Sequence, residues 1–207
     1  MFLLWSGLFF LVLGFSCLVI DRRAVHVIYD RVPLAFHNLL MATTHLAKAA
    51  HWLAAAVLAY LVSWTLLKTG SAGAAVKLVF QCALAFILAL GAGSAVTHTI
   101  KLVFSRRRPR DELELKQYGF IPFGFDLKRN SFPSGHSVTI FSVAVIATCV
   151  WPLGAPVWFA VALWLSLTRA LMTAHFLSDV FVGAGIGLIA SREVVVNWFP
   201  QLALGWL

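Results

Sequence analysis

The chain has 207 residues, 61% of them hydrophobic and only 12% charged, with a formal net charge of +8. A soluble domain carries about 25% charged residues and under half apolar ones, so a water-soluble globule is excluded and an integral membrane protein is expected. At this length, one membrane-embedded domain over residues 1–207 is the expected organisation.

A spanning helix needs about 20 predominantly apolar residues. Residues 1–20 carry no charge and are predicted as the first span. They lack the basic segment and small-residue cleavage site of a signal peptide, so they are expected to be retained. Residues 21–48 are too polar to span and too apolar for a solvated linker, which predicts a helix lying along the membrane interface. The histidines there, His26, His37 and His45, lack the spacing of metal ligands. Residues 49–67 and 78–100 are the second and third predicted spans, followed by the longest polar section, 101–131. Residues 137–151, 157–168 and 180–190 mark the last three, with "PLGAP" as a turn between the fourth and fifth. The fold class is therefore all-α, a six-transmembrane-helix bundle with an interfacial helix after the first span. Six spans put both chain ends on one side. Segments 21–48, 101–133 and 169–179 then gather on the other.

Cys17, Cys82 and Cys149 all lie in apolar runs and are expected as small buried hydrophobes. Gly183 and Gly187 form a small-residue pair four apart. Close packing inside the bundle is the plain reading of that spacing, and a homodimer contact is the other. Half of the 16 Lys and Arg residues fall within 101–129. Such a cluster suits topology, anionic lipid or a phosphate-bearing substrate. No nucleic-acid-binding motif accompanies it, so nucleic acid is not an expected partner.

Three short motifs carry the chemistry, all on the same predicted side. In "PSGHS", Pro133 precedes a helix start, and Ser134 is a good N-cap. The first-turn amides of such a helix attract anions, Gly135 permits close approach, and His136 faces the same place. In "KLVFSRRRP", Lys101 ends a span and Arg108 precedes a proline. In "TRALMTAHFLSDVFVG", His175 and Asp179 are four apart and share a helix face. A carboxylate there can fix the tautomer of the imidazole and leave its other nitrogen basic. Anchoring cations, a capped helix start and a helix-start charge pair would explain each motif singly. Together they supply three cations (Lys101, Arg108, Arg169), a helix N-terminus, one oriented histidine and one free histidine. That set matches a transferring phosphoryl group: cations for its spread charge, a nucleophile or base, and an acid for the leaving alkoxide. No carboxylate cluster suits Mg²⁺, so a phosphatase without metal or other cofactor is expected.

The ordered pattern Lys-x6-Arg-Pro (from Lys101), Pro-Ser-Gly-His (from Pro133) and Arg-x5-His-x3-Asp (from Arg169) resembles the type 2 phosphatidic acid phosphatase superfamily. One departure is Thr168 where the family usually has serine; the hydroxyl is kept. The resemblance implies that His175 attacks phosphorus to form a phosphohistidine and that Asp179 orients it. It implies that His136 protonates the leaving oxygen and later deprotonates water. Lys101, Arg108, Ser134, Gly135 and Arg169 would hold the phosphate oxygens. The implied partner is a lipid phosphate or diphosphate in the bilayer, of the undecaprenyl diphosphate, phosphatidylglycerophosphate, phosphatidic acid or lipid A class. The short loops suit a compact bacterial-type enzyme; no residue picks among these substrates, and undecaprenyl diphosphate and phosphatidylglycerophosphate are placed slightly ahead of lipid A. A non-catalytic lipid transporter or scaffold keeping the fold is the alternative, and intact His136, His175 and Asp179 argue against it. The resemblance also implies a bacterial inner-membrane protein whose site faces the periplasm. The positive-inside rule points the other way, since Arg22, Arg23, Arg31 and Lys48 add to the motif side.

Overall fold

The computed structural model describes residues 1–70, 73–124 and 130–203. Lys128 and Arg129, part of the cationic stretch, lie outside them. Six helices occupy the predicted span regions: α1 (Phe2–Cys17), α4 (Ala49–Lys68), α5 (Ala74–Val103), α7 (Gly135–Val150), α8 (Ala155–Leu171) and α9 (Leu177–Trp198). Three shorter ones lie between them: α2 (Asp21–Arg31), α3 (Leu34–Thr44) and α6 (Pro109–Leu115).

The stretch 21–48 is two helices, which corrects the expectation of one. Val32 is extended and Pro33 is locked at φ −64°, so the chain cannot stay helical through them. α1 and α2 are bent by 85° at their junction. After α3, a 3₁₀ turn over His45–Ala47 leads into α4. The polar section also gains order. β1 (Phe104–Arg106) pairs antiparallel with β2 (Phe120–Pro122), Arg106 opposite Phe120, with α6 between them.

Among the described residues, three stretches are long and apolar enough to cross a membrane: Ala35–Lys68, Ala74–Val103 and Pro152–Leu171. The bent pair α1–α2 makes a fourth if its two arms count as one span. α7 is apolar but has 16 residues, a length of about 24 Å against a hydrocarbon core of about 30 Å.

α9 is the axis of the bundle, packed along α1 on one flank and α7 and α5 on others. Glycines make this possible. A Cβ on Gly187 would stand 2.6 Å from the Val138 carbonyl oxygen, and one on Gly183 would collide with that of Ser134. On the other flank, a Cβ on Gly185 would meet the Gly7 carbonyl oxygen of α1 at 2.8 Å. The Gly183–Gly187 face is thus used up against α7 inside one chain, and a homodimer contact through it is corrected to intrachain packing. Around this axis Leu3, Phe86, Phe141, Val145, Leu165 and Leu188 form the main core. Cys17, Cys82 and Cys149 are buried and unpaired, as expected.

Candidate active site

The first motif arrives on the end of α5 and on β1. Lys101, in the last turn of α5, is buried, and its Nζ donates to the Asn130 carbonyl at 2.9 Å. The Asn130 side chain accepts from the amides of Arg106 (3.1 Å) and Phe132 (3.2 Å), and donates to the Lys101 carbonyl. The Ser131 amide donates to the Arg106 carbonyl at 2.8 Å. Asn130 and Ser131 therefore clip the first motif to the second. Arg108 lies just beyond the strand as N-cap of α6, where its own amide donates to Asp111 at 3.1 Å.

The second motif starts α7. Ser134 is its N-cap and accepts from the Ser137 amide, at a long 3.5 Å. The Ser134 amide donates to the Asp179 carbonyl at 2.9 Å, tying the start of α7 to the start of α9. Gly135 is exposed, and nothing lies within 4 Å of where a Cβ would be. Its amide is open to a ligand. His136 follows, half-buried.

The third motif turns sharply between α8 and α9. The Arg169 carbonyl accepts from both the Ala174 amide (3.0 Å) and the His175 amide (3.1 Å), which folds the imidazole back beside Arg169. His175 is buried, and its Nδ1 lies 2.9 Å from the Ser131 carbonyl oxygen and 3.5 Å from Asp179 Oδ2. A carbonyl only accepts, so Nδ1 carries the proton of the neutral ring. Nε2 keeps its lone pair. Burial holds the pKa of His175 below its ordinary value; Arg169 and Arg108 push the same way, while Asp179 pulls back. The ring is thus held neutral, as a nucleophile needs.

Asp179 is fully buried and is secured by more than histidine. It accepts from Arg106 Nη1 at 2.7 Å, from the Phe176 amide at 2.8 Å and from the Ser131 hydroxyl. Arg106 is itself fully buried and also pairs with Asp21 at 2.8 Å. Tyr118 Oη lies 2.8 Å from the same guanidinium, whose plane centre stands 4.2 Å from the Phe176 ring centroid. Asp21 in turn receives the amide of Ser178 at 3.1 Å. Sequence reasoning missed Arg106, Asn130, Ser131, Asp21 and Tyr118. The signal for Arg106 was its position two residues before Arg108, in a run where three arginines look alike. Asp21 is a lone acid at the end of a span, a position that ionisable groups seldom occupy without a partner.

All eight candidate residues converge. Arg169, His175, Lys48 and Arg108 act on His136 through space, and Arg108 acts on both Lys101 and Arg169. Lys48, exposed at the start of α4, joins this field unpredicted. The Nε–H groups of Arg108 and Arg169 are buried with no hydrogen-bond partner. Like charges in mutual reach, with unspent buried donors, make a site for an oxyanion. Among the described residues no three His, Cys, Asp or Glu side chains gather as metal ligands.

The chain is similar to known proteins in sequence and in fold. Lipid A 1-phosphatase of Rhizobium etli is 30% identical over 107 residues, 52% of this chain and 42% of that one. Lipid A 1-phosphatase of Rhizobium johnstonii is 32% identical over 92 residues, 44% of this chain and 38% of that one. The matches thus span well under half of these relatives' lengths. Two crystal structures share the fold. LpxE of Aquifex aeolicus aligns with a TM-score of 0.60 at 20% identity, over 86% of this chain and 96% of that one. A transmembrane PAP2-type phosphatidylglycerolphosphate phosphatase of Bacillus subtilis aligns with a TM-score of 0.63 at 18% identity, over the whole of both chains. Residues 82–202, which contain all three motifs, match the sequence profile of the PAP2 superfamily, and this membrane protein belongs to that family.

Proposed function

We propose that the chain is a membrane-embedded lipid phosphatase working through a phosphohistidine. The observation that carries this is the pair of unpartnered, buried Arg108 and Arg169 Nε–H donors beside an imidazole held neutral with Nε2 free. In the first step Nε2 of His175 attacks phosphorus. A P–N bond forms, the P–O bond to the lipid breaks, and His136 gives its proton to the leaving oxygen. In the second step water attacks phosphorus while His136 takes its proton. The P–N bond breaks and inorganic phosphate leaves. Lys101, Arg108, Arg169, the Ser134 hydroxyl and the Gly135 amide hold the non-bridging oxygens throughout. Asp179 steadies the imidazolium side of the intermediate, with Ser131 setting the ring's orientation. No step calls for a metal or cofactor.

The substrate reading favours a lipid phosphate with a hydroxyl-bearing head, of the lipid A or phosphatidylglycerophosphate class, ahead of undecaprenyl diphosphate. The named relatives support that order. The membrane reading is of six spans (α1, α4, α5, α7, α8 and α9) in a bacterial inner membrane, with α2 and α3 along the interface. The site faces the periplasm and both chain ends face the cytoplasm.

The test is phosphate release by the detergent-purified protein from a panel of lipid phosphates, beside His175→Ala. Release that vanishes in the variant is expected. Absence of release from every lipid, by protein that remains folded, would favour a scaffold.

A further inference from the structure

α5 carries a polar stripe that the three motifs do not account for. Ser94, Thr97, His98 and Lys101 recur at helical spacing, so they share one face of an otherwise apolar helix. That face borders a cavity of about 250 Å³ between α4, α5 and the first turns of α7. Thr97, His98, Lys101, Gly135, His136 and Thr139 are among its walls. One end is thus formed by the residue that protonates the leaving oxygen, the other by residues with no role so far.

Two observations single out Thr97 and His98. Hydroxyls inside helices ordinarily bond back to the carbonyl of the preceding turn. Thr99, Thr139 and Thr148 do so, at 2.9, 3.0 and 2.8 Å. Thr97 does not: it is 97% buried, by its 3% relative exposure, yet its Oγ1 has no partner. Ser137, Ser142, Ser166 and Ser191 share that lack, but only Thr97 of these is among the cavity's walls. An unspent buried hydroxyl on a cavity wall is a group waiting for a ligand. His98 is an ionisable side chain within a spanning helix, and such residues mark functional surfaces.

We infer that this cavity is the leaving-group subsite, and that Thr97 and His98 recognise hydrogen-bonding oxygens on the carbon unit joined to the scissile phosphate. The inference rests on the phosphatase reading above. In an in-line displacement the leaving group departs opposite the nucleophile, on the side of its acid, and the acid His136 walls this cavity. A volume of about 250 Å³ exceeds the ~30 Å³ share of one liquid water several-fold, which suits a sugar ring or glycerol. The chemical class of the leaving group is thus a neutral polyol. Ala49 brings the start of α4 to the cavity, and α4 exposes Trp52, Leu53, Val57 and Leu58, an apolar surface that suits acyl chains attached to such a unit.

The test compares kcat/KM for phosphatidylglycerophosphate with that for p-nitrophenyl phosphate, whose leaving group has no hydroxyls beyond the scissile oxygen. Thr97→Val and His98→Ala should each lower the ratio of the two about tenfold, mainly through KM for the lipid. Thr97→Ser, which keeps the hydroxyl, should restore the ratio. An unchanged ratio in both variants would overturn the subsite, and so would an equal fall of the ratio in Thr97→Val and Thr97→Ser. If the unsubstituted protein releases phosphate from p-nitrophenyl phosphate but the ratio never moves, the subsite fails and the phosphatase reading stands. No release from either compound would overturn both.

Discussion

Arg106 does at the residue scale what a catalytic motif cannot do alone. It neutralises Asp179 on one nitrogen and Asp21 on another, with no exposure to water. Removing one partner of a buried ion pair leaves uncompensated charge, at a cost of about 3–5 kcal/mol. Arg106→Met should therefore lower the thermal midpoint in detergent far more than Arg107→Met, whose target side chain sits at the surface. Lysine cannot fork to two carboxylates, so Arg106→Lys should rescue little. His175 gives a pH prediction whose sign follows from its environment. Its native pKa lies below the ordinary value of about 6.5, so the ring stays neutral as pH falls past that point. The acid limb of kcat/KM should then lie below pH 6.5; an acid limb well above 7 would contradict a buried nucleophile. The unfolded chain takes up this proton first, so stability should also fall as pH drops below about 6.5. His136, His175 and Asp179 were legible because short spacings are local information, although the structure corrects their setting: His175 stands in the turn before α9, not on a helix face shared with Asp179. Ser131 was invisible by comparison: it acts on His175 through a backbone carbonyl, which every residue has, and its hydroxyl meets Asp179 from 48 residues away in the chain.

At the scale of elements, the site is assembled by the closeness of α7 and α9. Gly183 faces the Ser134 carbonyl, one residue before the exposed amide of Gly135. Gly183→Val should push the start of α7 away and displace that amide. A displacement of about 1 Å at reacting groups can cost on the order of 10²-fold, so kcat should fall steeply although residue 183 touches no substrate. The joint between α2 and α6 behaves differently. Glu112 is buried and receives Arg22 Nε at 2.8 Å and His26 Nε2 at 3.1 Å, but the Arg22 side chain is 58% exposed. Arg22→Ala should cost no more than about 1 kcal/mol, read from denaturant or thermal unfolding. The pattern of apolar runs located every long helix, since burial in lipid or core needs the same composition. It could not anticipate β1 and β2, three residues each, whose pairing depends on where α6 returns the chain. The division at Pro33 is carried by that residue alone, and the average polarity of residues 21–48 masks it.

At the scale of the whole molecule, the orientation in the membrane and the charge balance are linked. The cationic site and the basic residues of α2 lie close together, so the proposed periplasmic site would run against the usual bias of cytoplasmic loops. A reporter active only in the periplasm, fused after Leu207, should stay silent; activity there would place the site in the cytoplasm. Vanadate, which adopts the five-coordinate geometry of the transferring phosphoryl group, should inhibit with half-effect at micromolar levels. Activity should survive EDTA, and its loss with recovery on adding Mg²⁺ would overturn the histidine mechanism. Fold class and family were legible because three spaced motifs recur in one order. The number of crossings was not, because α1 and α7 are short and α9 carries Arg192, Glu193 and Asn197 near its end.

The guanidinium of Arg106 joins the beginning of the molecule to its end. Asp21 leaves the ribosome early, Arg106 near the middle, and Asp179 only with the last long helix. α1 likewise finds its main neighbour, α9, only at that stage. During synthesis, then, the early helices wait with an incomplete polar centre, and His175, the proposed nucleophile, arrives just ahead of α9. On the proposed mechanism, a chain truncated before α9 would hold Lys101, Arg108 and Arg169 but lack Asp179, and would release no phosphate.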